Sequence, residues 1–148
     1  IQTKSGNRGG NSEIYPLVPG SNMSSSRRIA PFLSIVIPVY NEEENLRPLW
    51  NELKKILRKI NGRWEVIFVD DGSEDRSSSI LEKISRSEQR VRVLRFMRNF
   101  GQTAAMAAGI DHARGDVIVS MDADRQNDPA DIPRLVSRME EGYDLVSG

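Results

Sequence analysis

Two carboxylates, Asp122 and Asp124, stand one residue apart at the end of the apolar run Val117-Ile118-Val119-Ser120-Met121. An extended strand sends residues two apart to the same side, so these two can converge on one cation. Gln126 continues the series by one step and adds a neutral oxygen. Oxygen ligands of this kind suit Mg²⁺ or Mn²⁺, hard cations that commonly share them with substrate phosphates. Without an ion, the same residues read as solvated acids in a strand-end turn.

Three further segments place polar residues directly behind an apolar run: Pro38-Val39-Tyr40-Asn41-Glu42, Asp70-Asp71-Gly72-Ser73 and Arg98-Asn99-Phe100-Gly101-Gln102. Ligands of open α/β sheets bind at the carboxyl ends of strands. Four independent strand ends with polar groups therefore favour a site over four solvated turns.

The elements that must position these residues alternate between two periodicities. Strands are expected over Leu33–Val39, Trp64–Val69, Val91–Phe96 and Val117–Met121, all short and rich in β-branched residues. Between them, Leu46, Leu49, Trp50, Leu53, Ile56, Leu57 and Ile60 recur at helical spacing, with Asn45 as cap, Pro48 in the first turn and Gly62 behind. Further helices are expected around Ile80, Leu81 and Ile84, over Gln102–Arg114, and over Arg134–Glu141 with Leu135, Val136 and Met139 inward. This alternation argues for an α/β fold, a mostly parallel sheet with helices on both faces.

A chain of 148 residues fits one domain with a substantial core. Its 21 basic and 21 acidic residues balance, which gives no bulk electrostatic case for nucleic acid. Residues 1–30 carry Lys4, Arg8, Arg27 and Arg28 against Glu13; they are rich in Gly, Ser and Asn and are expected to be disordered. Residues 31–148 form the domain, and Asp144–Gly148 read as a strand just beginning, as if the chain stopped in mid-domain. Cysteine is absent, which excludes disulfides and thiolate metal sites. No apolar stretch approaches the roughly 18 residues of a membrane span, so this chain is expected to be soluble by itself.

Familiar nucleotide motifs fail. The first polar loop has no glycine, which excludes both a dinucleotide turn and a phosphate loop there. An EF-hand counted from Asp122 would need Gly and Glu where Asn127 and Pro133 stand. Phosphates without a glycine-rich cradle need a metal to neutralise them, and Asp122 with Asp124 could hold one.

With these residues in view, the chain resembles the family 2 glycosyltransferases of the GT-A fold, a Rossmann-like nucleotide-diphospho-sugar transferase fold. Among them it looks most like the polyprenyl-phosphate (undecaprenyl- or dolichol-phosphate) glycosyltransferases. The resemblance rests on Leu33–Glu42, Val69–Asp75, Arg98–Gln102, Ala113-Arg114-Gly115-Asp116 and Asp122–Pro129. Two departures stand out: Arg125 where the family commonly has Leu, and Asp128 where it commonly has Pro. Arg125 would either weaken ion binding or add a phosphate contact.

The resemblance implies roles. Asp70 or Asp71 would hydrogen-bond the base or ribose of a UDP- or GDP-linked sugar, unless Asp71-Gly72 merely makes a turn. As a strand-end carboxylate facing the cleft, Asp70 should be removable without loss of fold. Pro38, Tyr40 and Glu42 would line the nucleoside pocket, Tyr40 being alternatively core. Arg98 would approach the diphosphate or stay solvated, while Asn99 and Gly101 shape the start of the helix behind them. Asp122, Asp124 and Gln126 would hold Mg²⁺ or Mn²⁺, with Asp124 the catalytic member. Ala104, Ala105, Ala107, Ala108 and Gly109 give that helix a small packing face, and His112 is a surface residue.

The implied reaction transfers a sugar from a nucleotide-diphosphate donor to a polyprenyl phosphate, metal-assisted and with inversion. A phosphate monoester has a second pKa of about 6, so near neutral pH it is already a nucleophilic anion and needs no aspartate base. The full-length protein would then act at the cytoplasmic face of a membrane, held there by parts outside this chain. Two alternatives remain at this stage: a family 2 enzyme that extends a saccharide, and a truncated fragment that binds nucleotide without turnover.

Overall fold

The computed structural model describes residues 2–3, 32–60, 62–126 and 128–141. Its sheet has five strands: β1 (Gln2–Thr3), β2 (Leu33–Val39), β3 (Trp64–Asp70), β4 (Val91–Arg95) and β5 (Val117–Ser120), in the spatial order β1-β5-β2-β3-β4. Four are parallel, and β1 alone runs antiparallel, along β5. Helices α1 (Leu46–Leu57), α2 (Ser77–Ser87), α3 (Gln102–His112) and α4 (Ile132–Glu140) follow the parallel strands.

β2 explains the layering. All seven of its residues are buried, as a strand covered on both faces requires. Its odd-numbered residues, Leu33, Ile35, Ile37 and Val39, enter a large core with Leu46, Leu49, Leu53 and Leu57 of α1, Leu81 and Ile84 of α2, and Ile132 and Met139. Val36 points the other way, into a smaller core with Ile67, Val69 and Ala105 of α3. A Cβ on Gly109 would lie 2.2 Å from Val36 Cγ1, so α3 approaches the sheet closely there. The expected small face is thus seated by Ala105 and Gly109, while Ala107 is exposed.

The parallel sheet with helices on both faces is as the sequence implies, and the differences lie at element ends. Gln2 and Thr3, inside the stretch read as disordered, pair with Ile118 and Val117, because the outer side of β5 offers unpaired backbone groups. Residues 4–31, and the strand expected at Asp144–Gly148, lie outside the described residues. α1 ends at Leu57, well before Gly62, and the Asn45 side chain donates to Glu42 rather than capping the helix. α3 ends at His112, two residues early. α4 starts two residues earlier than expected, behind a short 3₁₀ turn (Pro129–Asp131) whose first N–H is capped by Asp128 Oδ1 (2.8 Å, from Ala130 N). That cap accounts for the Asp where the resemblance anticipates Pro.

Candidate active site

The cleft arises where the sheet reverses direction. From β2 the chain moves outward through β3 to β4, then crosses back to place β5 on the other side of β2. Pairing of β2 with β5 stops at Val36–Ser120, whereas pairing with β3 continues to Val39–Asp70. Val36 accepts from Met121 N (3.1 Å), so the next β2 residue facing β5 is Pro38, which has no N–H to offer. The two strands part there. A cavity of about 290 Å³ opens between them, lined by Pro38, Val39, Tyr40, Glu42, Asp71, Asn99, Gly101, Gln102, Asp122, Ala123 and Asp124.

Eight residues singled out from sequence therefore meet in one cavity: Pro38, Tyr40, Glu42, Asp71, Asn99, Gly101, Asp122 and Asp124. Tyr40 is 44% exposed, so it is not core, and its ring stands at the wall. Asp122 is half-buried and Asp124 exposed. Their common side does not come from strand alternation, because β5 ends at Ser120 and Asp124 lies in a turn. Arg125 follows in the left-handed region (φ 66°), which breaks the two-residue series. Gln126 accordingly does not line the cavity; its N–H donates to Asp124 Oδ1 at 3.0 Å.

Asp70 and Arg98 also lie elsewhere. Asp70 is fully buried. It accepts from Ser73 N (2.9 Å) and Ser78 Oγ, and pairs with Arg95 at 3.7 Å. The β3–α2 loop is tied down by this carboxylate, so the reading of Asp70 as a cleft residue that the fold can spare does not hold. Arg98 lies over the Phe100 ring at 4.8 Å and lines a separate depression with Gly72, Glu74 and Arg95. The Arg125 guanidinium pairs with Glu52 on α1 (2.9 Å) instead of turning to the acidic pair.

Asp71, only 2% exposed, binds the β4–α3 loop as well as facing the cavity. Its oxygens accept from Phe100 N (2.7 Å) and Gly101 N (2.9 Å). A carboxylate has about four acceptor sites, so these two bonds leave capacity for further donors.

The Tyr40–Glu42 wall is stapled to the β3–α2 loop. Asn41 (φ 54°) donates its N–H to Ser73 Oγ (3.1 Å) and accepts from Glu74 N (2.9 Å). Glu42 N donates to Ser77 Oγ (2.9 Å) and Glu43 N to Asp75 Oδ2 (3.1 Å). Glu43 is held below the usual carboxylate range, first by the hydrogen bond from the Arg76 side chain and then by its N–H. Burial pushes Asp75 up, but hydrogen bonds from Ser77 and Glu43 outweigh it, and its carboxyl also ends low. Two left-handed non-glycine residues, Asn41 and Arg125, thus flank the cleft, a common place for tolerated strain.

Gln102 is the polar cavity residue to which sequence assigned no role. Its Nε2 donates to Asp122 Oδ1 at 2.6 Å. The signal available was positional: it is the first residue of a helix that opens at a strand end.

The donor set fits a hard divalent cation. Two carboxylates from one turn border a cavity wide enough for phosphate and water oxygens to complete the coordination. Among the described residues, no group of three or more acids or histidines is placed to hold one metal ion.

Comparison with solved proteins places the molecule first in a class, the GT-A glycosyltransferases. TarS of S. aureus (residues 1–349) is similar at 25% identity with a TM-score of 0.58, over 74% of this chain and 32% of that one. The mannosyltransferase PcManGT of Pyrobaculum calidifontis, solved with GDP-Man and Mn²⁺, shares the fold at 22% identity and a TM-score of 0.56, over 70% and 30%. Residues 34–148 match Glycosyl transferase family 2, and the chain belongs to that family. It is 47% identical over 116 residues to the undecaprenyl-phosphate 4-deoxy-4-formamido-L-arabinose transferase of Pseudomonas fluorescens, covering 78% of this chain and 34% of that protein. The transferase of the same name from Pectobacterium atrosepticum is 49% identical over 115 residues, 77% of this chain and 35% of its own. The chain thus spans about a third of the length of these curated relatives.

Proposed function

We propose that this chain is the donor-binding part of a glycosyltransferase that moves a sugar from a nucleoside-diphosphate carrier to a polyprenyl phosphate, with inversion. The observation that carries the reading is the cavity at the parting of β2 and β5, where a tyrosine wall, a buried acceptor and an acidic pair meet. The lipid acceptor rests on the relatives, which are named as undecaprenyl-phosphate transferases.

The residues then divide the work. Tyr40 offers a ring face to the base, and Asp71 and Glu42 accept from base or ribose. Asp122 and Asp124 hold Mg²⁺ or Mn²⁺ against the donor diphosphate, with Asp124 the more exposed of the two. A bound divalent cation offsets the negative charge that grows on the leaving diphosphate. Gln126 serves through its backbone, fixing the Asp124 carboxylate. The acceptor needs no base, because a phosphate monoester is already an anion near neutral pH.

Among the described residues no helix is long and apolar enough to cross a membrane. A lipid acceptor nevertheless sets the reaction at a membrane surface, and a nucleotide-linked donor sets it on the cytoplasmic side.

Calorimetry with UDP and GDP, each with and without Mn²⁺, tests the donor site. One nucleotide should bind tightly only with the cation present; equal binding without it overturns the cation-bridged reading. The acceptor is tested with the whole protein, a nucleotide-sugar and undecaprenyl phosphate in detergent. Transfer to a saccharide hydroxyl but never to the lipid phosphate would overturn that assignment.

A further inference from the structure

We infer that Gln102 is a positioning residue for the cation site, tying Asp122 to the loop that Asp71 holds; the inference rests on reading the cleft as a cation-assisted donor site. Gln102 Nε2 donates to Asp122 Oδ1 at 2.6 Å, across a separation of 20 residues. A carboxylate held through one oxygen keeps the plane of its group, and the direction it presents to an ion, more nearly constant.

Such a bond positions Asp122 only if Gln102 is itself held, and three linked features hold it. Asp71 accepts the N–H groups of Phe100 and Gly101, one on each oxygen. Gly101 takes φ 98° and ψ 156°, a conformation rarely open to other residues, and so turns the loop sharply into α3. Gly101 O then accepts from Ala105 N (3.1 Å), which closes the first turn of the helix with Gln102 at its start. The route from Asp71 to Asp122 therefore runs through one rigid corner. It couples the donor-binding side of the cleft to the cation side without any charge on Gln102.

A merely structural role predicts something different. Gln102 is exposed, and an exposed hydrogen bond contributes little to stability. Removing it should leave the fold as stable as before while loosening the cation site. Partners that orient metal ligands commonly change affinity by about ten- to a hundredfold.

The test is Gln102→Met, which keeps length and removes the donor, with Gln102→Ala as a second variant. Mn²⁺ is titrated into each protein with the preferred nucleotide present, and melting temperature and cation-free nucleotide binding are measured alongside. Mn²⁺ affinity should fall about tenfold or more in both variants, with melting temperature and cation-free nucleotide affinity unchanged. Mn²⁺ affinity within twofold of wild type would overturn the inference. So would a parallel loss of cation-free nucleotide binding, which would make Gln102 a nucleotide contact. If wild type shows no cation dependence, the proposed donor site fails first, and the two failures are thereby told apart.

Discussion

Acidic pairs that look alike as sequence lie at or just past the ends of β3 and β5, Asp70-Asp71 and Asp122-Ala123-Asp124, yet the two differ in burial. The first is buried and bonded to the protein's own backbone and hydroxyls, although Asp71 also faces the cavity. The second borders the cavity, half-buried at Asp122 and exposed at Asp124. Adjacent residues of a strand point to opposite faces, so Asp70 turns inward under the β3–α2 loop while Asp71 faces the cleft. Past the end of β5, the turn that contains Asp124 brings it to the same cavity as Asp122. Burial, rather than the presence of acid, separates a carboxylate that braces the loops from one that lies open to an ion.

The sharpest way to break this contrast is to remove an acid from each pair and compare stabilities. Asp71→Ala leaves two part-buried N–H groups without their acceptor and should cost about 2 kcal/mol in urea unfolding. A loss under ~1 kcal/mol would mean that the loop finds other partners and that Asp71 is not structural. Asp124→Asn should change stability by less than ~0.5 kcal/mol, while cation-dependent nucleotide binding disappears. An Mn²⁺ response equal to that of wild type would return the second pair to solvated turn acids.

The smallest effect concerns the staple beside the first pair. Glu43 has its folded-state pKa lowered, so its contribution is present above the unfolded value of about 4.3 and is lost as pH falls through the lower folded one. Asp75, lowered in the same sense, follows the same course. Melting temperature should therefore drop as pH falls below about 4.5, and Glu43→Gln should drop less steeply over that range. Identical slopes would show that the Glu43–Arg76 bond adds nothing to the folded state.

Much of the fold was legible because periodicity is local. β2, β3, β4 and β5 each fall on a short β-branched run, and Leu46, Leu49, Trp50, Leu53 and Leu57 mark the buried face of α1 at helical spacing. The strand-end rule likewise brings out Tyr40, Glu42, Asp71, Asp122 and Asp124. β1 was hidden, since Gln2 and Thr3 carry no pattern and form a strand only because β5 lies alongside.

What the sequence determined by itself was the order and type of the main elements and the set of polar strand ends, since both follow from residue spacing along the chain. Only the tertiary structure decided which member of each polar cluster faces the cleft. That choice depends on partners far away in sequence: Phe100 and Gly101 for Asp71, Gln102 for Asp122, Glu52 for Arg125. A hydrogen bond between such distant residues exists only after the sheet has set β4 beside β3 and β5 beside β2, and no local spacing encodes that placement.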